Sequence, residues 1–299
     1  MPSPPLATSY WPADTTQPVL DTTIGGVLRT AAERAPDQVA LTAGEAESAH
    51  RRQWRYAELF AGAERAARHL GERFEPGEPV AVWAGNGPEW VQLEFAAGLA
   101  GLTLVPVNPA YQADELAYVL RHSRARGLFL AAEYRGRPLP PVLDQVRHRL
   151  ADLREVIPLA AWNQLCDTET GGRLPPVDPG SVAQILYTSG TTGRPKAAVL
   201  THRGLTNNAR LATAAIGIHA GETAVNPMPL FHIAGCGLLT LGLAQVTAHH
   251  VLMPQFTPGR QLELIETYRS GLLGGVPTML AALLSHPTLA RWEIGRAHV

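Results

Sequence analysis

Apolar and polar positions alternate along this chain in two rhythms. Tyr56, Leu59, Phe60, Ala63, Ala67 and Leu70 recur at helical spacing with arginine and glutamate between them, which predicts an amphipathic helix. The run PVAVWA at 79–84 is short and apolar and predicts a buried strand. PEWVQLEFAAGLAG follows, and its Pro88 suits a first helical turn. LTLVPVN at 102–108 predicts a strand, DELAYVLRHS at 114–123 a helix with acids at its start, and GLFLAA at 127–132 another strand. Further on, VAQILY at 182–187 and AAVL at 197–200 predict two strands joined by a loop. Thr201 is placed to cap a helix marked by Leu205, Ala209, Ala212 and Ile216. TAHHVLM and LLGGV predict strands, and PGRQLELIETYRS and PTMLAALL predict helices. Strand alternating with helix gives an α/β fold in which mostly parallel sheets are covered by helices.

Three stretches depart from this rhythm. Residues 1–20 are rich in proline, serine and threonine and predict a surface lead-in. Residues 138–179, rich in proline and arginine, predict no clear element. The stretch at 233–248, IAGCGLLTLGLAQVTA, is the most apolar. It is shorter than the roughly 20 residues a membrane span needs, and it carries Gly235, Gly237, Gly242 and Gln245. A buried core helix is the expectation.

Composition narrows the function classes. Of 299 residues, 45% are hydrophobic and 17% charged, enough for a sizeable core and against disorder. A net charge of −1 argues against a nucleic-acid-binding surface. Cys166 and Cys236 form no CxxC pair, so neither a disulfide scaffold nor a zinc site is indicated. His249 and His250 are adjacent in a strand and so face opposite ways, poor geometry for holding one metal. The N-terminus lacks a basic start followed by an apolar core, so no secretory signal is read and a cytoplasmic protein is expected.

The chemistry concentrates in YTSGTTGRPKAAVLTHRG at 187–204. Small residues let a backbone close tightly and aim several N–H groups inward. Hydroxyls add donors without bulk, and Lys196 adds a point charge for phosphate oxygens. Walker A spacing is absent: Arg194 and Pro195 separate Gly193 from Lys196, and the chain then enters a strand rather than a helix. GxGxxG is absent as well, so no dinucleotide fold is indicated.

The segment resembles, without a gap, the signature loop of the adenylate-forming enzymes, which include acyl-CoA synthetases, luciferase-like proteins and peptide-synthetase adenylation domains. GLAGLTLVPVNPAYQADELAYVLRHS and GGVPTMLAALLSHP resemble an earlier and a later segment of that family. The resemblance implies an AMP-binding N-terminal domain at 21–292, incomplete, with Thr188, Ser189, Gly190, Thr191, Thr192, Gly193 and Lys196 around the phosphates of ATP. It also implies Mg²⁺ arriving with ATP, coenzyme A as co-substrate, and a small carboxylic acid made first into an acyl-adenylate and then into a thioester.

Within the family, the position after the Phe of NPMPLFHIAGCG lines the acid pocket, and amino-acid-activating members place an Asp there. This chain has His232, which does not favour an ammonium group and points to a fatty or aryl acid. Arg194, Arg203 and His202 read as structural or solvated. The Tyr-Gly-x-Thr-Glu segment, the ribose-binding Asp and the late lysine of the family do not follow Pro277, so an N-terminal piece without activity of its own is expected. One back-translation of 293–299, EIGRAHV, contains a common sequencing-library adapter, so a non-native tail is expected there. Two alternatives stay open: an adenylating enzyme that loads a carrier protein, and a non-catalytic nucleotide-binding or structural remnant.

Overall fold

The computed structural model describes residues 16–44, 51–188 and 195–295. The first half runs α1 (Ile24–Arg34), β1 (Val39–Ala43), β2 (Gln53–Arg55), α2 (Tyr56–Gly71), β3 (Pro79–Trp83), α3 (Pro88–Ala100), β4 (Thr103–Val107), α4 (Ala113–His122) and β5 (Gly127–Leu130). A short hairpin of β6 (Glu133–Tyr134) and β7 (Arg137–Pro138) leads to α5 (Pro140–Val146), β8 (Glu155–Pro158) and α6 (Trp162–Asp167). The second half runs β9 (Val182–Thr188), β10 (Lys196–Thr201), α7 (His202–Ile216) and β11 (Thr223–Asn226). A π-helical segment (Ala234–Thr240) then leads to α8 (Leu241–Gln245), β12 (His249–Leu252), α9 (Pro258–Tyr268), β13 (Leu272–Leu273) and α10 (Pro277–Leu284).

Two sheets result. One has the order β10-β9-β4-β3-β5-β8, with β10 antiparallel at its edge and the remaining pairs parallel. The other has the order β13-β11-β12-β1-β2, parallel except for the edge strand β2. The predicted α/β class with mostly parallel sheets is therefore observed.

Helix α3 is the hub. Pro88 opens it, Gly101 closes it in the left-handed conformation at φ 71°, and every residue between its ends except Glu89 is buried. A helix apolar all round belongs in a core, and α3 packs against α1, α2, β4, β1 and the π-helical segment. Its two interior polar side chains are paired. Gln92 Oε1 accepts from Trp162 Nε1 at 2.8 Å, and Glu94 Oε1 accepts from Gln184 Nε2 at 2.7 Å. Glu94 Oε2 is buried without a partner.

Residues 138–179 hold more structure than their pattern predicts. Pro140 opens α5, and Cys166 lies buried on α6. The apolar stretch after His232 is not one α-helix. It winds as a π-helix over Ala234–Thr240 and continues as α8. Its glycines permit close approach to neighbours. A Cβ at Gly242 would lie 2.0 Å from Thr213 Oγ1, and one at Gly235 would lie 2.3 Å from the Pro229 carbonyl oxygen. Among the described residues no helix is long and apolar enough to cross a membrane.

The start of the described chain is strapped along α7. Leu20 and Asn207 exchange two hydrogen bonds of 2.8 Å, Arg210 reaches Gln17 and Pro18, and Arg203 pairs with Asp21. The Ile24 N–H donates to Nδ1 of buried His202 at 3.2 Å.

Two outcomes follow from this packing. Gly242→Ala drives a methyl into Thr213, and overpacking of this kind costs about 1–3 kcal/mol, read as a lower urea midpoint. The buried titratable groups also shape the pH profile. Desolvation holds His202 and His249 down at about 4, and His250 at about 3 with His249 adding to it. The unfolded chain takes up protons that these folded imidazoles refuse, so stability falls as pH drops from about 6.5 toward 4. Burial raises Glu94 to about 8 against the pull of Gln184. The folded state keeps that proton while the unfolded chain releases it, so stability also falls as pH rises from about 4.5 to 8, by up to about 1.4 kcal/mol per unit. Glu94→Gln is expected to flatten the alkaline limb of urea-derived stability against pH and leave the acid limb in place.

Candidate functional site

The predicted phosphate loop is the turn of the β9–β10 hairpin. Lys196 stands opposite Thr188 and Ala197 opposite Tyr187 in the antiparallel ladder. Ser189, Gly190, Thr191, Thr192 and Gly193 lie outside the described residues, as does Arg194. Thr188 and Lys196 are both exposed at the strand ends. A strand, not a helix, follows Lys196, as the spacing against Walker A implies. Thr201 caps α7 as predicted, its hydroxyl accepting from the Gly204 N–H at 3.1 Å.

His232 sits in the turn before the π-helical segment and is exposed. Its Nδ1 accepts from the Ala234 N–H at 3.2 Å, so the neutral ring carries its proton on Nε2. Its carbonyl accepts from the Gly235 and Cys236 N–H groups at 2.9 and 3.2 Å.

Buried side chains connect these two parts. Gln184 lies on β9, four residues before Thr188. One end of its amide donates to Glu94, and the other accepts from Cys236 Sγ at 3.7 Å. Cys236 Sγ also lies 3.4 Å from the His232 carbonyl oxygen. The strand entering the loop and the turn carrying His232 thus share one internal polar line. Neither its Glu nor its Gln is legible in the sequence, because polar residues in an apolar run give no sign of pairing with each other. Cys236 is fully buried and its thiol is raised well above its ordinary value; burial likewise pushes Cys166 to about 12. Neither is suited to act as a thiolate.

Asn86, also unforeseen, fixes the turn from the other side. It lies after β3, donates to the Met228 and Met253 carbonyls at 2.9 Å each, and accepts from the Leu230 N–H at 2.8 Å. Its setting, Gly85-Asn86-Gly87-Pro88, is a turn signal that could have singled it out.

His249 and His250 stand apart from this site. His249 meets the Thr42 hydroxyl at 2.7 Å, and His250 pairs with Asn226 at 3.1 Å. Among the described residues no group of three or more His, Cys, Asp or Glu side chains is placed to hold a metal ion.

The chain is similar to known proteins in sequence and in fold. The AMP-binding enzyme family matches residues 28–297. Mouse medium-chain acyl-CoA ligase ACSF2, a mitochondrial protein, is 30% identical over 327 residues, covering 95% of this chain and 51% of the relative. Acyl-CoA ligase sidI of Aspergillus fumigatus is 32% identical over 259 residues, 78% of this chain and 43% of that protein. The N-terminal domain of FACL13 from Mycobacterium tuberculosis superposes with a TM-score of 0.81 at 26% identity, covering 93% of this chain and 68% of that one. The long-chain-fatty-acid-CoA ligase FadD1 of Archaeoglobus fulgidus gives 0.81 at 25% identity, with 95% and 57% covered. The chain spans about half the length of the curated relatives it matches. With a signature hairpin, a fold and a family match that agree, the chain belongs to the AMP-binding enzymes, the adenylate-forming group that includes acyl-CoA ligases.

Proposed function

We propose that this chain carries the phosphate-holding part of an acid–thiol ligase site, in a protein that activates a fatty or aryl carboxylic acid with ATP and passes it to coenzyme A. The observation that carries this is the β9–β10 hairpin, which sets Thr188 and Lys196 face to face at the two ends of the SGTTGRP loop. In this proposal Lys196, Thr188 and the loop residues Ser189, Gly190, Thr191, Thr192 and Gly193 hold the β- and γ-phosphates while the acid's carboxylate attacks the α-phosphorus. Negative charge builds on the departing pyrophosphate, and fixed donors with a nearby ammonium stabilise it. Magnesium comes as the ion of Mg-ATP. The thiol of coenzyme A then displaces AMP from the acyl-adenylate, with no covalent enzyme intermediate, which suits two cysteines held as buried thiols.

His232 is proposed to line the acid and thioester path. Its exposed imidazole, held by the Ala234 N–H, offers no carboxylate to pair with an amino acid's ammonium group. Loading of a carrier protein in place of coenzyme A is the alternative within the family, and a non-catalytic nucleotide-binding remnant is the alternative outside it. We place the protein in the cytoplasm, although the mouse relative is mitochondrial.

Mg-ATP titrated into the chain is expected to bind. Lys196→Ala, at an exposed position, is expected to weaken binding about ten- to a hundredfold with the melting temperature unchanged. No binding by the unmodified chain would favour the remnant. The chain by itself is expected to show no carboxylate-dependent ATP–pyrophosphate exchange, because its 299 residues include no Tyr-Gly-x-Thr-Glu segment. Measurable exchange would overturn that part of the proposal.

A further inference from the structure

We propose that Tyr118 and His122, one turn apart on α4, are positioning residues that clamp both stems of the phosphate loop and hold Thr188 and Lys196 in place for the phosphates. This rests on the phosphate assignment of the loop given above, although the clamp itself is a feature of the hairpin. The two residues contact one stem of the loop each. The Tyr118 hydroxyl donates to the carbonyl of Pro195 at 3.0 Å, immediately before Lys196. His122 Nδ1 lies 2.8 Å from the hydroxyl of Tyr187, immediately before Thr188. The three rings form one cluster. Tyr118 and His122 stack at 5.4 Å, and Tyr187 stands edge-on to both, at 6.3 Å from Tyr118 and 5.7 Å from His122.

The platform behind the clamp is rigid. Leu116, Ala117, Val119 and Leu120 of α4 are buried against the six-stranded sheet, in one cluster with Trp83, Val105 and Val107. The N-terminus of α4 is closed by a reciprocal pairing of Gln112 with Glu115. Besides α4, the outer stem has its ladder with β9 and an open far side. β10 is the edge strand, with Lys196, Ala198 and Val199 exposed. A cavity of about 860 Å³ borders Tyr118, His122 and Pro195, so close packing does not pin this stem. Hydrogen bonds and ring contacts are left to do so. The His122–Tyr187 bond can form with either ring tautomer, because the tyrosine hydroxyl can donate or accept.

A loop that binds phosphate through backbone N–H groups loses affinity for every degree of freedom it must freeze on binding. Clamping both stems removes that loss in advance, and a hairpin at an exposed sheet edge is where such a loss would be largest.

The test compares the chain with Tyr118→Phe, which deletes only the hydroxyl, and with Tyr118→Phe combined with His122→Leu. Hydrogen exchange at Thr188, Lys196 and Ala197 is read beside Mg-ATP affinity. Both variants are expected to speed exchange at these stem amides while α2 and β3 stay as in the parent. Each is expected to weaken Mg-ATP by about three- to tenfold, the loss of about one hydrogen bond, with the double variant at the upper end. Stem exchange that does not change, or that rises only together with the whole chain, would overturn the clamp. A merely stabilising role would lower the melting temperature and leave the affinity of the folded chain as it was. If the parent chain takes no Mg-ATP, the phosphate assignment fails, and the exchange comparison alone decides whether the clamp exists.

Discussion

Burial of α3 on every side is the constraint on which the rest of the structure depends. A helix that must keep water from its whole circumference needs partners all round it. Here they are α1, α2, a strand from each sheet and the π-helical segment. Removing its surface from water favours the fold by roughly 25 cal/mol for each Å² of apolar area. It also forces its polar side chains to pair internally, because an unpaired buried polar group costs more than a hydrogen bond returns. Glu94 meets that demand at one oxygen, by pairing Oε1 with Gln184, and keeps its proton up to about pH 8.

That pairing reaches the site. Gln184 belongs to the strand that delivers the loop, and its other contact, Cys236, lies within the π-helical segment after His232. The loop is therefore supported from below by α3 through Gln184 and from the flank by α4 through Tyr118 and His122. The turn carrying His232 is held by Cys236 on one side and by Asn86 on the other. Helices and strands supply the anchors, and short loops carry the residues proposed to meet ATP and the acid, as positioning chemistry requires.

The sequence made much of this legible. The paired strands around the loop, the Thr201 cap and helices α2, α3, α4, α7 and α9 follow from periodicity and capping residues, and the loop motif points to phosphate chemistry. What it left hidden has physical causes. Glu94 and Gln92 look like solvent-facing positions because a one-dimensional pattern cannot tell that a helix is covered on all sides. The π-helix over Ala234–Thr240 leaves the same apolar signature as an α-helix, and only the lack of room for a Cβ, which would lie 2.3 Å from a neighbour at Gly235 and at Gly237, reveals how near its neighbours lie. Short elements such as α5 and β8 fall below the length at which a period can be counted. The role of Tyr118 and His122 depends on residues 65 or more positions away and has no local signal.

The proposed site sets the ATP phosphates against the β9–β10 hairpin, beside the turn that carries His232. The most direct measurement is a backbone amide NMR titration of the isotopically labelled chain with Mg-ATP. The largest shifts are expected at Thr188 and Lys196, smaller ones at Gly235 and Cys236, and little change in α5 or α9. Saturable shifts centred on another element, with Thr188 and Lys196 unmoved, would contradict it.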